Sequence, residues 1–301
     1  MSTSQKYWVT TKKIIPENNR QILNDFLLSL KLANKAVVTI TKYKWVLEKF
    51  LSECSVSIGN LTSEHIRNWL YVISEGKKPK TIDLYLSALK SFTNFCLAED
   101  YLNAPVIKSR WKPAIPESLP QFLNGEELAR VKREAEDLPL RDRALILLLL
   151  SSGCRKTETS HLNIEDVQLE KRTAMVLGKG GHIRHVHFSE ECALVMQDYL
   201  ETRACREGDP LFLNKFGGRL KSTGIYKVTT KLGKQAGLSQ TLYPHVCRHT
   251  FATPLLAKGA DLSFIAEGVL GTVPHRFKSL KRMGVRESCG EKVSAGLLLW
   301  L

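Results

Sequence analysis

Between Asn103 and Pro120 four prolines, Pro105, Pro113, Pro116 and Pro120, stand among Lys108, Arg110 and Lys112. Proline lacks the backbone N–H that a helix needs, and its ring clashes with the preceding turn, so no helix runs through such a stretch. The chain is therefore expected to fold as two units joined by a basic connector over residues 105–118. With 301 residues, 43% of them apolar, each side is long enough to bury a core of its own.

Before the connector, residues 20–33 carry apolar side chains at helical spacing, as do residues 39–54, where Ile40, Tyr43, Val46, Leu47, Phe50 and Leu51 form one stripe. Thr62-Ser63-Glu64 opens a third helix like a cap and Gly76 closes it; a fourth runs from Lys80 to about Asp100. Behind an N-terminal extension of residues 1–18, these four make a helical unit over 19–104. After the connector the pattern is mixed. Helices are expected at 124–136, 141–153, 189–204, 221–236, 245–258 and 261–267. Alternating residues from Arg172 to Leu177 and from His182 to Phe188 flank Gly178-Lys179-Gly180-Gly181, which signals a β-hairpin. Pro210 to Leu213 reads as a short strand. The fold class is mainly α with a small β-sheet: a helical unit followed by an α+β unit over 119–267, then an atypical tail over 268–301.

The formal charge is +14. It is not confined to an arm: residues 1–117 hold 17 Lys and Arg against 10 Asp and Glu, and the remainder 27 against 20. Two equally basic halves point to a polyanionic partner gripped by both, since neutralised phosphates release condensed counterions. Seven scattered cysteines, none paired at metal or redox spacing, read as reduced and mostly buried thiols. No signal-peptide-like opening occurs, and the longest apolar run, Ala144 to Leu150, is far shorter than a membrane span, so a cytoplasmic protein without membrane contact is expected.

Three segments carry candidate chemistry: Gly153-Cys154-Arg155-Lys156-Thr157-Glu158, the hairpin turn around Lys179, and His245-Val246-Cys247-Arg248-His249-Thr250-Phe251-Ala252-Thr253. Arginine forks match the oxygens of a phosphate bidentately, and a lysine supplies a mobile proton. Each segment alone has a bland reading as a surface charge, a turn residue or a solvated helix face. Their order and spacing together resemble the tyrosine-recombinase or phage-integrase family, Xer-like in type. In that family a first arginine stands in G-x-R-x-S/T-E, a lysine in a hairpin turn, and a third box reads H-x-x-R-H-[ST]-x-A-T. The likeness covers roughly residues 20–267, including Thr81-Ile82, Leu86 to Phe92, Leu119 to Leu123 and Gly259 to Ile265.

The resemblance implies a two-domain clamp around duplex DNA, site-specific cutting and rejoining as in integration or excision of a mobile element, and tetramers on two duplexes. It implies no metal and no cofactor. It makes Arg155 and Arg248 the grip on the scissile phosphate, Lys179 the acid for the leaving 5′ oxygen, His245 an acid or base, and Glu158 the carboxylate beside the first arginine that orients active-site residues. In the family, attack by a tyrosine forms a 3′-phosphotyrosyl link that conserves the bond for religation.

One part of the pattern is broken. The family continues with Leu-Gly-His (or Trp) and places its tyrosine ten residues beyond that glycine; here Leu270-Gly271 is followed by Thr272, and the tyrosine's position holds Lys281. No tyrosine follows Tyr243. Residues 268–301 are basic, lack a helical stripe and end in Ala-Gly-Leu-Leu-Leu-Trp-Leu, as expected where a shifted reading frame near Gly268 has replaced a C-terminus. Tyr243 as a substitute nucleophile, His275 as a substitute ligand, and a kink at Pro254 are further readings. Three other readings stay open at this level: a DNA-binding remnant or regulator without catalysis, a metal-dependent nuclease using His182, His185 and His187, and a generic basic protein whose motifs arise by chance.

Overall fold

The computed structural model describes residues 7–116, 121–178 and 181–257. Lys179, the helix expected at 261–267, and the tail with Thr272, His275 and Lys281 lie outside the described residues. The chain divides into two compact units, Met1–Pro116 and Glu117–Leu301.

The first unit is helical: α1 (Glu17–Leu32), α2 (Val37–Glu53), α3 (Ser63–Ser74) and α4 (Pro79–Ala98). The stripes read from the sequence are the buried faces, with Phe26, Phe50 and Phe92 fully enclosed and the Phe26 and Phe92 rings edge to face at 5.4 Å. Burying each such side chain contributes about 2 kcal/mol. Thr62 caps α3 by accepting from the His65 N–H. The fully buried Asn19 bridges two backbone groups of the α2–α3 connection, donating to the Val56 carbonyl at 2.9 Å and accepting from the Ile58 N–H at 3.1 Å. Part of the basic stretch expected to join the two units packs on this core. Val106 is buried, its carbonyl accepts from Ser63 Oγ at 2.7 Å, and Ile107 and Trp111 lie against the same cluster. The prolines forbid an α-helix there but not apolar anchoring, and the chain makes one 3₁₀ turn at Ser109–Trp111.

The second unit is built around α6 (Leu140–Ser152), whose residues from Ala144 to Leu150 are buried all round. That explains its lack of a polar stripe: α5 (Gly125–Glu136), α8 (Glu190–Glu201), α9 (Ser222–Gln235), α10 (Pro244–Ala257) and the sheet enclose it. The sheet has three antiparallel strands in the order β1 (Val167–Gln168), β2 (Thr173–Leu177) and β3 (Ile183–His187). Its register pairs Ala174 with Val186, Val176 with Arg184, and Met175 with His185.

Differences from the sequence expectations are local. Residues 210–213 form no strand; Pro210 and Leu213 make isolated bridges to Asn163 and Arg219. The six-residue α7 (Lys156–His161) and the two-residue β1 were not foreseen, being too short to show a period. Pro254 does lie inside α10 with its ring on the exposed side, and it cannot donate the helical bond to the carbonyl four residues back, that of Thr250. Among the described residues no helix is long and apolar enough to cross a membrane. Of the cysteines there, Cys96, Cys154, Cys192 and Cys247 are buried, Cys54 is half-buried and Cys205 exposed, all as free thiols.

Candidate functional site

The chemistry-bearing residues gather where α6 ends. Gly153 follows the last helical residue with φ 63°, the left-handed conformation that lets a helix stop sharply and that a side chain would strain. The turn swings the chain through buried Cys154 to Arg155, which opens α7. The Glu158 carboxylate, three residues on, accepts the Arg155 backbone N–H at 2.8 Å through Oε2 and the Arg155 guanidinium at 2.5 Å through Oε1. A carboxylate at this position also suits the positive end of a helix. The far end of α7 is held by Arg219, which donates to the carbonyls of Ser160 and Leu162, each at 3.0 Å.

From the other side α10 presents its first turns. Arg248, only 3% exposed, donates to the Gly153 carbonyl at 2.6 Å, so the left-handed turn and the third motif lock together across 95 residues of sequence. Burial pulls the Arg248 guanidinium down to about 9, with Arg155 adding to the effect and Glu158 opposing it. It therefore keeps its charge at neutral pH. Arg155 is half-buried, its side chain 23% exposed. The two arginines expected to grip a phosphate thus converge on one corner, the first partly exposed and the second anchored in the wall.

His245, one turn before Arg248, is exposed as a residue. Its pKa is lowered by desolvation first and then by Arg248, Arg155 and Lys156, so its neutral form, able to accept a proton, is favoured. Its ring stands edge-on to His249 at 5.3 Å, and burial with its charged neighbours brings His249 down to about 4. Cys154 offers no nucleophile: burial pushes its thiol up to about 11. Tyr243 packs against the core and donates its hydroxyl to Gln121 Oε1 at 3.1 Å, an ordinary structural use of the residue.

The hairpin reaches the same corner. Gly178, the residue before Lys179, backs onto Glu158: a methyl group on its α-carbon would lie 4.0 Å from Oε1. On β3, Arg184 turns inward and donates to Glu158 Oε2 at 2.8 Å. The sequence reading missed this residue, although a signal was present: the alternation that buries Val186 and Phe188 also directs position 184 inward. His185 and His187 occupy the opposite, exposed face, and His182 is exposed beside the turn. Among the described residues no group of three His, Cys, Asp or Glu side chains could hold a metal ion. A corner rich in guanidinium groups attracts an anion and repels a cation.

Both units have matches among known proteins. Residues 121–271 match the model of the phage integrase family, and residues 23–100 match the phage integrase N-terminal SAM-like domain. The tyrosine recombinase XerA of Pyrococcus horikoshii is 33% identical over 254 residues, covering 83% of this chain and 84% of that protein. The tyrosine recombinase XerC of Lactobacillus delbrueckii subsp. bulgaricus is 32% identical over 210 residues, covering 66% and 71%. The crystal structure of the XerH site-specific recombinase bound to palindromic difH substrate, a post-cleavage complex, superposes with a TM-score of 0.72 at 23% identity, covering 91% of this chain and 88% of that one. The helical first unit, the α6–α7 corner facing the first turns of α10, and these matches over both units lead to one conclusion: the chain belongs to the phage integrase family of tyrosine recombinases.

Proposed function

We propose that this chain grips duplex DNA as a tyrosine-recombinase-type protein, seating a backbone phosphate on Arg155 and Arg248, but does not itself cut the strand efficiently. The observation that supports this reading is the convergence of Arg155 and Arg248 on the Gly153–Glu158 corner, where the Arg155 side chain keeps 23% of its surface exposed. Related proteins of known structure are described as bound to their DNA sites, among them XerH on difH and a lambda integrase dimer on a core site.

In this reading the two arginines offset charge that builds on the phosphate as it is attacked, an effect strongest in a preorganised site partly shielded from water. Glu158 orients Arg155. Lys179 protonates the departing 5′ oxygen, and His245 acts as acid or base, its neutral form favoured by desolvation and then by the adjacent arginines. The full reaction, site-specific recombination through a 3′-phosphotyrosyl intermediate, needs a tyrosine oxygen to attack. The family's position for it holds Lys281, and Thr272 stands where a His or Trp would add a further phosphate ligand. Phosphate binding is therefore retained while the attack is lost. Residues 105–118 join the SAM-like unit to the second unit in the manner of a basic connector, and a competent relative would assemble as a tetramer on two duplexes.

A nicked duplex that traps cleavage intermediates tests the reading. The wild-type chain is expected to bind it yet leave no covalent protein–DNA band on a denaturing gel; such a band would reveal a nucleophile and restore full recombinase chemistry. Arg248→Gln is expected to weaken binding about tenfold and to lower the salt slope by about one. Unchanged binding in that variant would dismiss the proposed phosphate seat.

A further inference from the structure

Charge at the α6–α7 corner does not balance: three guanidinium groups, those of Arg155, Arg184 and Arg248, act on one carboxylate, Glu158. Arg155 and Arg248 are accounted for by the phosphate grip proposed above, on which this inference rests. Arg184 is not. Its side chain is 12% exposed, and it turns away from solvent, on the inner face of the sheet with Val186. Nη2 reaches Glu158 Oε2 at 2.8 Å, while Nε and Nη1 are buried and find no hydrogen-bond partner among the described residues. Burying a guanidinium that makes so few hydrogen bonds is costly, and a strand interior would more cheaply hold an aliphatic side chain.

What Arg184 does for Glu158 explains the expense. Held only by Arg155, the carboxylate would be tethered by the group it has to orient, and the pair could swing together. Arg184 supplies a second anchor from another element, 26 residues further along the chain. We propose that Arg184 is a positioning residue: by clamping Oε2 it sets the Glu158 carboxylate, whose Oε1 then holds the Arg155 guanidinium toward the phosphate seat. A bidentate fork binds a phosphate only when its plane is already aimed, so the clamp acts on DNA affinity through Arg155 alone.

Binding of the full chain to a labelled duplex oligonucleotide, measured by fluorescence anisotropy across a salt series, separates this role from packing or from bulk charge. Arg184→Met keeps length and packing but removes the clamp, and is expected to bind roughly tenfold more weakly. Its salt slope is expected to fall by about one, as in Arg155→Gln. The double variant R155Q/R184M should bind no more weakly than R155Q, and Arg184→Lys, which can still reach Oε2, should recover most of the affinity. Should R184M fail to fold, R184Q carries the same comparison. Wild-type affinity in R184M overturns the proposal, as do independent losses that multiply in the double variant, or R184K as weak as R184M. If R155Q itself binds like the wild type, the phosphate seat falls and the proposal with it; if R155Q is weak and R184M is not, only the proposal falls.

Discussion

Among the described residues each unit buries one carboxylate, Glu48 in the first and Glu158 in the second, and the two are handled differently. In the first unit Glu48 on α2 is met by two lysines, Lys12 at 3.5 Å and Lys44 at 3.8 Å, and Lys12 is half exposed. In the second, Glu158 is met by two guanidinium groups at 2.5 and 2.8 Å and by a backbone N–H, with its side chain 2% exposed. Flexible ammonium groups at the edge of water neutralise a charge without fixing its direction, whereas planar forks in a buried wall fix both. The first arrangement is what stability alone asks for; the second costs stability and fixes direction, which suits the proposed phosphate seat.

The contrast yields three expectations. Glu158→Ala should have the largest effect, about 3 kcal/mol of destabilisation, because it leaves several buried guanidinium groups uncompensated. Hydrogen exchange should show the loss in the amides of α6, α7 and α10 and not in those of α1 to α4; equal loss in both units would erase the distinction drawn here.

Acid should act next, and on the same unit. His249 titrates near 4 when folded against an ordinary value of 6.5. Between those values the unfolded chain binds more protons than the folded one, so the stability of the second unit rises with pH through this window and drains away as pH falls from about 6.5 toward 4. The first unit has a single histidine, His65, at the exposed opening of α3. Thermal unfolding at pH 7 and pH 5 should differ by several degrees for the second unit, about 4 °C or more, and His249→Gln should flatten the difference. A pH dependence unchanged in that variant would assign it to other groups. The smallest effect is expected from Glu48→Ala, at most about 1 kcal/mol in urea unfolding. A cost as large as that at Glu158 would show that the two carboxylates are equivalent after all.

Much of this was legible in the residues themselves. The stripes in α1 and α2, the cap at Thr62, the hairpin at 173–187 and the proline break after Asn103 all rest on neighbours a few positions apart, which sequence spacing reports directly. The association of Glu158 with Arg155 came instead from the family resemblance, since the helix start that joins them was not foreseen. Pieces too short for a period escaped: α7 spans under two turns, and β1 has two residues. The half-packed connector escaped as well, since prolines announce what cannot form and say little about where Val106 and Trp111 will anchor.

By itself, then, the sequence determined the longer elements, their order, the basic character of both units and the absence of a tyrosine after Tyr243. These follow from local sterics, periodicity and composition. Only the tertiary structure decided that Arg248 caps the Gly153 carbonyl, that Gly178 backs onto Glu158, and that Arg184 shares that carboxylate with Arg155. The reason is physical: these contacts join segments 20 to 95 residues apart, and nothing in local spacing specifies them until α6 is buried and the sheet and α10 close around its end.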